Sequence, residues 1–206
     1  MKRWRDRRKD SQPSYAPHPR YGTGLQYTNL SVREEDLKAS YWRFRDETLF
    51  PETALRANTT AQGYAVFPRP FYVDILKTCR DCDRQFIFYA REQKYWFETL
   101  GFWIDADCVR CAECRLRRRR IDRVRRRFGE RRRLPNPDAG TLRRLVEDAL
   151  FLLRERAIVD LQKVAEVKNR ALRELPNEPV TRQLTHALLQ ARRVEAEIER
   201  DFINRD

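Results

Sequence analysis

The sequence predicts an α+β fold in which a small unit of short strands is followed by an arginine-rich helix and an antiparallel helical hairpin. Three observations lead to this class. Two Cys-x-x-Cys pairs, at 79–82 and 111–114, stand on either side of strand-like and aromatic segments. An arginine run follows the second pair directly. Beyond residue 138, apolar residues recur at the spacing of amphipathic helices.

Composition and charge narrow the function classes. Of the 206 residues, 36% are charged, and the net charge of +13 includes +5 on residues 1–20 and +10 on residues 115–133. A nearly neutral body with two basic segments is typical of polyanion binders. No apolar stretch approaches the roughly 18–20 residues of a membrane span, and no signal-peptide segment follows the basic start. We therefore expect a cytoplasmic protein that makes no membrane contact.

The chain before residue 71 is predicted to contain little regular structure. Residues 1–28 combine basic residues with Ser, Pro, Gly and Tyr without periodicity, so we expect them to be disordered or draped over the surface. Residues 29–70 are predicted to form one helix and an irregular connector. Ser31 and Glu34 form a capping box, after which Pro51 stops the helix and opens the connector. Three residues at helical spacing form one aromatic face: Leu37, Tyr41 and Phe44.

The clustering of the cysteines predicts a metal site. All five lie between residues 79 and 114, which favours metal ligation in a reducing compartment over a disulfide framework. Each Cys-x-x-Cys pair has the length of a zinc knuckle, a tight turn that directs two thiolates at one ion. Two such turns supply the four ligands of tetrahedral Zn²⁺. The predicted ligands of one structural zinc ion are Cys79, Cys82, Cys111 and Cys114.

A small zinc ribbon with short strands is predicted over residues 71–114. Residues 71–76 and 84–89 are rich in aromatic and β-branched residues, which predicts strands on both sides of the first pair. Residues 91–100 are predicted to form a short helix, and residues 102–104 a last strand that delivers the second pair. A module this small buries little surface, so metal binding and folding are expected to be one event.

Aromatic residues are dense within the predicted ribbon and leave two interpretations open. They are Tyr95, Trp96, Phe97, Phe102 and Trp103. Large rings fill the miniature core beside a metal ion. Alternatively, one or two of the rings form a stacking platform for nucleic-acid bases.

The fifth cysteine, Cys108, extends the second pair to Cys-x-x-Cys-x-x-Cys. Three interpretations remain open for this residue. It packs near the knuckle as a small apolar side chain, it replaces one of the predicted ligands, or it is the reactive thiol of a redox or metal-responsive protein. A ferredoxin-type iron–sulfur cluster is not predicted, because the further Cys and the Pro of that motif are absent.

The segment from Cys79 to Arg115 resembles the bacterial proteins that carry a "probable zinc-ribbon domain". The shared features are two Cys-x-x-Cys pairs, an aromatic strand, a Glu-Gln pair, aromatic residues and a Gly-Phe pair. In this chain they are Cys79 and Cys82, Phe86 and Phe88, Glu92-Gln93, Tyr95-Trp96-Phe97, Gly101-Phe102, Arg110-Cys111 and Cys114-Arg115. Asp83 departs from the pattern, since Gly is commoner there, although Asp also tolerates a positive φ. The resemblance implies a zinc-ribbon fold with the two pairs as ligands, and it implies no reaction.

A binding protein is predicted rather than an enzyme. The chain has two histidines and six glycines, and no glycine-rich phosphate loop is present. A catalytic zinc ion keeps an open coordination position, whereas four cysteine ligands close it. We therefore expect no catalytic residues.

The arginine run over residues 115–133 is predicted to be a helix with a thin apolar stripe of Ile121, Val124 and Phe128. Its remaining surface is arginine, which binds phosphate oxygens bidentately. We expect nucleic acid as the partner and favour RNA over DNA, because no motif that reads the major groove of DNA is visible. An acidic protein partner and a solvated basic surface remain alternatives. The candidate contacts are Arg115, Arg118, Arg119, Arg120, Arg123, Arg125, Arg126 and Arg127.

The C-terminal segment, residues 138–206, is predicted to be an antiparallel helical hairpin. Near-heptad apolar spacing continues from Leu142 to Leu175, which predicts one long helix. A Pro-Asn-Glu-Pro loop at 176–179 then separates it from a second amphipathic helix. A hairpin leaves part of its apolar stripe exposed. We therefore expect it to pack on the ribbon, to associate with a second copy, or to bind a partner protein.

Overall fold

The computed structural model describes residues 15–30, 32–44, 46–63, 67–158 and 160–203. The chain divides into two compact units, which meet in sequence between Leu116 and Arg117. We call them the N-terminal unit and the helical unit. The N-terminal unit contains a small antiparallel sheet, and the helical unit contains helices, so the predicted α+β class is confirmed. Within the described ranges, no helix is both long and apolar enough to cross a membrane.

Residues 15–28 run along the sheet of the N-terminal unit. The backbone N–H of Ala16 donates to the carbonyl oxygen of Gln85 at 2.8 Å. The backbone N–H of Gln26 donates to Oδ2 of the buried Asp74 at 3.0 Å. Of the two alternatives predicted for residues 1–28, disorder is therefore wrong for residues 15–28, and a segment draped over the surface fits, because its backbone groups hydrogen-bond to the sheet. The first fourteen residues lie outside the described part of the chain.

The predicted aromatic face near the start of the chain is buried as expected. Helix α1 (Glu34–Ser40) is followed by a 3₁₀ turn at Trp42–Phe44. Its inward residues Leu37, Tyr41 and Phe44 are all at most 4% exposed. The residue that caps α1 is Arg33, which makes no side-chain capping bond. The predicted cap, Ser31, lies outside the described residues.

The sheet has three antiparallel strands in the order β1 (Thr48–Arg56), β2 (Phe71–Thr78) and β3 (Gln85–Phe88). The sequence predicted β2 and β3 but placed an irregular connector where β1 lies. Pro51 led to that error, because proline has no N–H for a sheet ladder. However, β1 is an edge strand, where proline is tolerated.

A bulge in β1 removes the conflict between Pro51 and the sheet. The pairing with β2 shifts register between Phe50 and Leu55. In the bulge, the hydroxyl of Thr53 accepts from the backbone N–H of Asp74 at 2.7 Å and donates to the carbonyl of Phe50 at 2.6 Å. A side chain therefore takes the place of the missing backbone partner, which satisfies a buried N–H.

The helix after β3 has two parts, α2 (Ala90–Lys94) and a π-helical turn at Tyr95–Thr99. The chain then turns at Gly101, whose φ of 65° lies in the left-handed region that glycine adopts freely. The strand predicted over residues 102–104 is absent. The backbone N–H of Phe102 instead donates to the carbonyl of Trp96 at 3.0 Å, so the segment closes the helix and pairs with no strand.

Two buried cations anchor the loop that leads to the second cysteine pair. Arg69 is 3% exposed, lies over the rings of three core residues and pairs with Asp105 at 3.3 Å. Lys77 is 5% exposed and pairs with Asp107 at 2.8 Å. The loop therefore has a defined path although it contains no regular structure.

The sequence predicted a hairpin of two helices after the arginine-rich helix. This prediction is wrong, because the helical unit contains three helices there. Helix α3 (Ala112–Arg132) is followed by α4 (Ala139–Arg154), α5 (Leu161–Glu174) and α6 (Pro179–Ile203). One apolar core joins them. Its fully buried side chains include Leu142, Leu145, Leu152, Val164, Ala171 and Leu184.

Local capping explains why the predicted long helix breaks into α4 and α5. The N–H groups of Arg156 and Ala157 bond to the carbonyls of Leu153 and Leu152, which is a Schellman motif. Arg156 occupies its left-handed position with a φ of 50°. Asp160 then caps α5, because its side chain accepts from the backbone N–H groups of Gln162 and Lys163. Nothing in the sequence indicated this helix end, because the usual glycine is absent and the apolar periodicity continues into α5.

Candidate metal centre and arginine face

The first cysteine pair lies in the turn that joins β2 to β3. The backbone N–H of Cys79 donates to the carbonyl of Arg84 at 3.0 Å, and the N–H of Asp83 donates to the carbonyl of Cys79 at 2.8 Å. Asp83 adopts a φ of 56°, the positive value that its position in the pattern requires. The turn therefore directs Cys79 and Cys82 toward the same point, as a zinc knuckle does.

The second pair is carried by the start of helix α3. Cys111 directly precedes the helix, and Cys114 lies in its first turn. The two pairs are tied together by a backbone hydrogen bond of 3.0 Å from Arg80 to Val109 and by an ion pair of 2.9 Å between Asp81 and Arg110. The predicted second knuckle at the end of a strand is therefore replaced by a helix-borne pair.

The four predicted ligands form one group. The sulfur atoms of Cys79, Cys82, Cys111 and Cys114 all lie within 4.8 Å of one another. The Sγ atoms of Cys82 and Cys111 are 3.9 Å apart. Tetrahedral Zn²⁺ with Zn–S bonds of about 2.3 Å separates sulfur atoms by about 3.8 Å. The donor set and its spacing therefore fit a single zinc ion in a closed, structural site.

The surroundings of the sulfurs show why a cation is needed. A hydrogen bond from Arg84 lowers the pKa of Cys82 to about 6. Burial raises the pKa of Cys111 and of Cys114. Burial therefore favours the protonated form of Cys111 and Cys114, whereas Arg84 favours the thiolate of Cys82. A bound Zn²⁺ deprotonates coordinating thiols and converts the group into four thiolates.

Cys108 lies outside the four-cysteine group. Its side chain is 1% exposed and donates to the carbonyl of Arg110 at 3.4 Å. Burial raises the pKa of Cys108 to about 12. A buried, protonated thiol is a poor nucleophile and a poor ligand. The structure thus gives Cys108 the surroundings of a packed apolar residue.

Arg115, a predicted contact, is directed into the N-terminal unit. Its guanidinium pairs with the buried Glu92 at 2.7 Å and lies 5.2 Å from the centre of the Trp96 ring. His18 approaches the same carboxylate at 3.5 Å, and burial lowers the pKa of His18. Sequence reasoning missed His18, because it assigned the histidine to a disordered segment. The Glu-Gln pair of the resemblance was the available signal for Glu92.

Six further arginines of residues 115–133 have partners inside the helical unit. Arg127 and Arg131 both pair with the buried Asp148 of α4, which attaches α3 to that helix. Arg120 lies over the ring of Phe151 at 4.8 Å. The remaining pairs are Arg117 with Glu155, Arg125 with Asp122, and Arg132 with Glu166. These side chains support the fold and are less available to an external ligand.

The other five arginines form a surface that we call the arginine face. They are Arg118, Arg119, Arg123, Arg126 and Arg133. All are exposed, and within the described part of the chain none has an ion pair, a hydrogen bond from its side chain or a ring contact. Arg133 lies in the turn that follows α3, and the other four lie in the helix. At 100° per residue these four fall within an arc of about 140°, opposite the buried Val124 and Phe128. Four of the eight predicted contacts therefore belong to this face, and Arg133 is an addition.

A comparison with protein families supports the metal centre. Residues 73–123 match the family described as "Probable treble clef domain". The matched range contains both cysteine pairs and the first half of α3. The predicted kind of domain, a small fold built on two zinc-binding pairs, is therefore confirmed, and the helix-borne second pair agrees with the name treble clef. Comparisons with curated proteins and with solved structures find no match.

Proposed function

We propose that this zinc-binding protein is a non-enzymatic binder of nucleic acid and that the arginine face of α3 makes the contact. The observation that carries the proposal is a set of five exposed arginines, four on one side of α3 and one in the turn that follows it, which have no ion pair, side-chain hydrogen bond or ring contact among the residues that the structure describes. Guanidinium groups bind phosphate oxygens bidentately, and phosphate contacts dominate the affinity of such complexes.

The energetics of α3 favour an anionic ligand. Arg119, Arg123 and Arg126 lie at i, i+4 and i+7, so like charges are neighbours along the face. Each such neighbour pair destabilises a helix by roughly 0.2–0.5 kcal/mol. Asp122 is engaged by Arg125, and Glu130 offsets only part of the charge. A polyanion on this face removes the repulsion that the fold leaves in place.

RNA is the ligand that we favour over DNA. An arginine-rich helix suits the irregular shape of RNA, and the chain carries no motif that reads base edges in the major groove of DNA. We also propose that the protein acts in the cytoplasm, because the four thiols of the metal centre suit a reducing compartment. We propose no catalytic activity, because these ligands form a closed set. A redox function is not part of the proposal, since Cys108 is buried and protonated.

The proposal is tested by the salt dependence of binding. Five phosphate contacts give a log–log slope of about −4.5 on duplex DNA and about −3.5 on a single strand. The triple variant R119Q/R123Q/R126Q is expected to bind more weakly and to flatten the slope by about 2–3. Fluorescence anisotropy of a labelled RNA at several salt concentrations measures both quantities. The zinc content is expected to stay unchanged, because none of these residues contacts the metal centre.

A matched control comes from helix α6. Arg182, Arg192 and Arg193 are also exposed, and the variant R182Q/R192Q/R193Q removes the same charge. It is expected to keep the wild-type slope. If both variants weaken binding equally, net charge and not the arginine face is responsible. If the wild-type protein shows no salt-dependent affinity for RNA or DNA at low ionic strength, the proposal fails, and an acidic protein partner becomes the leading alternative.

A further inference from the structure

The N-terminal unit exposes several large apolar side chains within nine residues. Trp103 is 57% exposed, Tyr95 is 43% exposed, and Phe102 is 42% exposed. Leu100, at 44%, lies between them in the sequence. We call residues 95–103 the aromatic loop. Phe97, in the same loop, is fully buried and packs in the hydrophobic core. The exposed rings are therefore not needed to fill the interior.

The backbone of the aromatic loop is held in place. The N–H of Leu100 donates to the carbonyl of Tyr95 at 3.0 Å, and the carbonyl of Trp103 accepts from the N–H of Ala106 at 2.8 Å. The ring of Phe102 packs edge-on against Trp96 with centroids 5.4 Å apart. The exposed rings are therefore presented by a fixed scaffold, which lowers the entropy lost when a ligand binds.

The charges near the loop do not repel a phosphate backbone. Each of the four carboxylates between residues 90 and 110 is paired with a cation of the N-terminal unit. The pairs are Glu92 with Arg115, Glu98 with Lys94, Asp105 with Arg69, and Asp107 with Lys77. Arg91, on the preceding helix, is exposed. The aromatic loop therefore combines stacking surfaces with neutralised carboxylates and a neighbouring cation, which suits an anionic ligand with flat rings.

We propose that the aromatic loop stacks unpaired nucleobases, which makes the ligand a single-stranded nucleic acid. This inference rests on the proposed function and names its substrate class. Bases within a duplex are stacked on each other and offer no free ring face, whereas unpaired bases stack on aromatic side chains in any sequence. Trp103 is the principal platform, because it is the largest of the exposed rings, and Phe102 is the second.

The test compares single-stranded and duplex RNA on the full-length, zinc-loaded protein. The probes are a fluorescently labelled 12-nucleotide oligouridine and a 12-base-pair RNA duplex. The variant F102A/W103A is expected to lose at least about five-fold in affinity for oligouridine, the lower end of stacking one base. Its salt slope and its affinity for the duplex are expected to stay unchanged. Trp103→Phe keeps an aromatic ring and is expected to retain most of the affinity. Tyr27→Ala removes a ring that is 67% exposed outside the loop and serves as the control.

The outcomes separate this inference from the proposed function. If F102A/W103A binds oligouridine as the wild type does, the stacking inference is overturned, and the aromatic loop serves another partner such as a protein. The arginine-face variant still decides the proposed function in that case. If F102A/W103A weakens both RNAs equally, or changes the salt slope, the loop contributes no stacking and the inference is also overturned. Zinc content and the circular dichroism spectrum of each variant show that its fold is intact.

Discussion

At the scale of single residues, the four thiols of the metal centre are matched to one divalent ion. Burial favours the protonated form of Cys111 and Cys114, while Arg84 favours the thiolate of Cys82. These opposite tendencies act on thiols of the same cluster. A tetrahedral ion removes this conflict, and binding of structural zinc contributes about 10–16 kcal/mol in small zinc domains. The fold of the N-terminal unit is expected to depend on that contribution.

The purified protein is expected to contain one zinc ion per chain. Cys79→Ser and Cys114→Ser each remove one of the four ligands, so these variants are expected to release zinc and unfold the N-terminal unit. Mass spectrometry of the metal content and tryptophan fluorescence measure the two effects. Cys108→Ser is the matched control and is expected to retain zinc, because Cys108 lies outside the cluster. Loss of zinc from the Cys108 variant with retention in the Cys114 variant would show a different ligand set.

Asp74 makes the stability of the N-terminal unit depend on pH. The carboxylate is buried, and its burial raises its pKa to about 6, although two backbone amides donate to it. The folded state therefore binds this proton more tightly than the unfolded state. The resulting stabilisation is complete below the ordinary pKa of 3.8 and is lost as the pH rises through about 6.

The measurement is urea unfolding of the wild type and Asp74→Asn at pH 5.5 and at pH 8. The asparagine cannot titrate, and the protonation of the zinc ligands cancels in the difference between the two proteins. The wild type is expected to gain stability relative to the variant by about 0.8 kcal/mol on going from pH 8 to pH 5.5. A difference that does not change with pH would contradict the shifted pKa.

At the scale of elements, the end of α4 contains a strained backbone conformation that a single substitution can relieve. Arg156 occupies the left-handed position of a Schellman motif with a φ of 50°, a conformation that costs a non-glycine residue about 1 kcal/mol. Arg156→Gly is therefore expected to stabilise the helical unit by about 0.5–1 kcal/mol. Circular dichroism at 222 nm during urea unfolding measures the effect. Glu147→Gly, in the exposed middle of α4, is the control and is expected to destabilise by about 1 kcal/mol. Equal destabilisation by both changes would show that the motif is absent in solution.

The elements also show how much of the fold the sequence determines locally. The cysteine spacing and the helical spacing of Leu37, Tyr41 and Phe44 predicted a metal cluster and a buried face, and both are confirmed. Strand β1 was missed because its proline is accommodated by the edge position of the strand, the bulge and the hydroxyl of Thr53, all of which depend on the pairing with β2. The break between α4 and α5 was missed because an arginine occupies the usual glycine position.

The sequence predicted the kinds of residue in the candidate site more accurately than their structural positions and partners. The cysteine pattern identified the ligands, but it did not show that α3 carries the second pair. The arginine run identified a basic helix, but not which side chains are free. Which arginines are paired and which are free depends on acidic partners distant in sequence, such as Glu92 for Arg115 and Asp148 for Arg127. Long-range ion pairs of this kind leave no periodic signal.

At the scale of the whole molecule, the chain combines two units with different sources of stability. The N-terminal unit is built around the metal centre, whereas the helical unit has an apolar core of its own that contains no cysteine. All four tryptophans precede residue 117, and the helical unit has neither tryptophan nor tyrosine. Tryptophan fluorescence therefore reports on the N-terminal unit. The far-ultraviolet circular dichroism signal comes mainly from α3 to α6.

Removal of zinc is expected to separate the two signals. A strong chelator releases the ion, so the N-terminal unit unfolds and its tryptophan emission shifts to longer wavelength. The helical unit keeps its core, so most of the signal at 222 nm is expected to remain and to unfold in urea as a separate transition. Only the first turn of α3 is expected to fray, because it carries Cys114. Addition of zinc is expected to restore the emission and provides the control. If both signals disappear together on chelation, the helical unit depends on the metal centre for its stability, and its apolar core alone is insufficient.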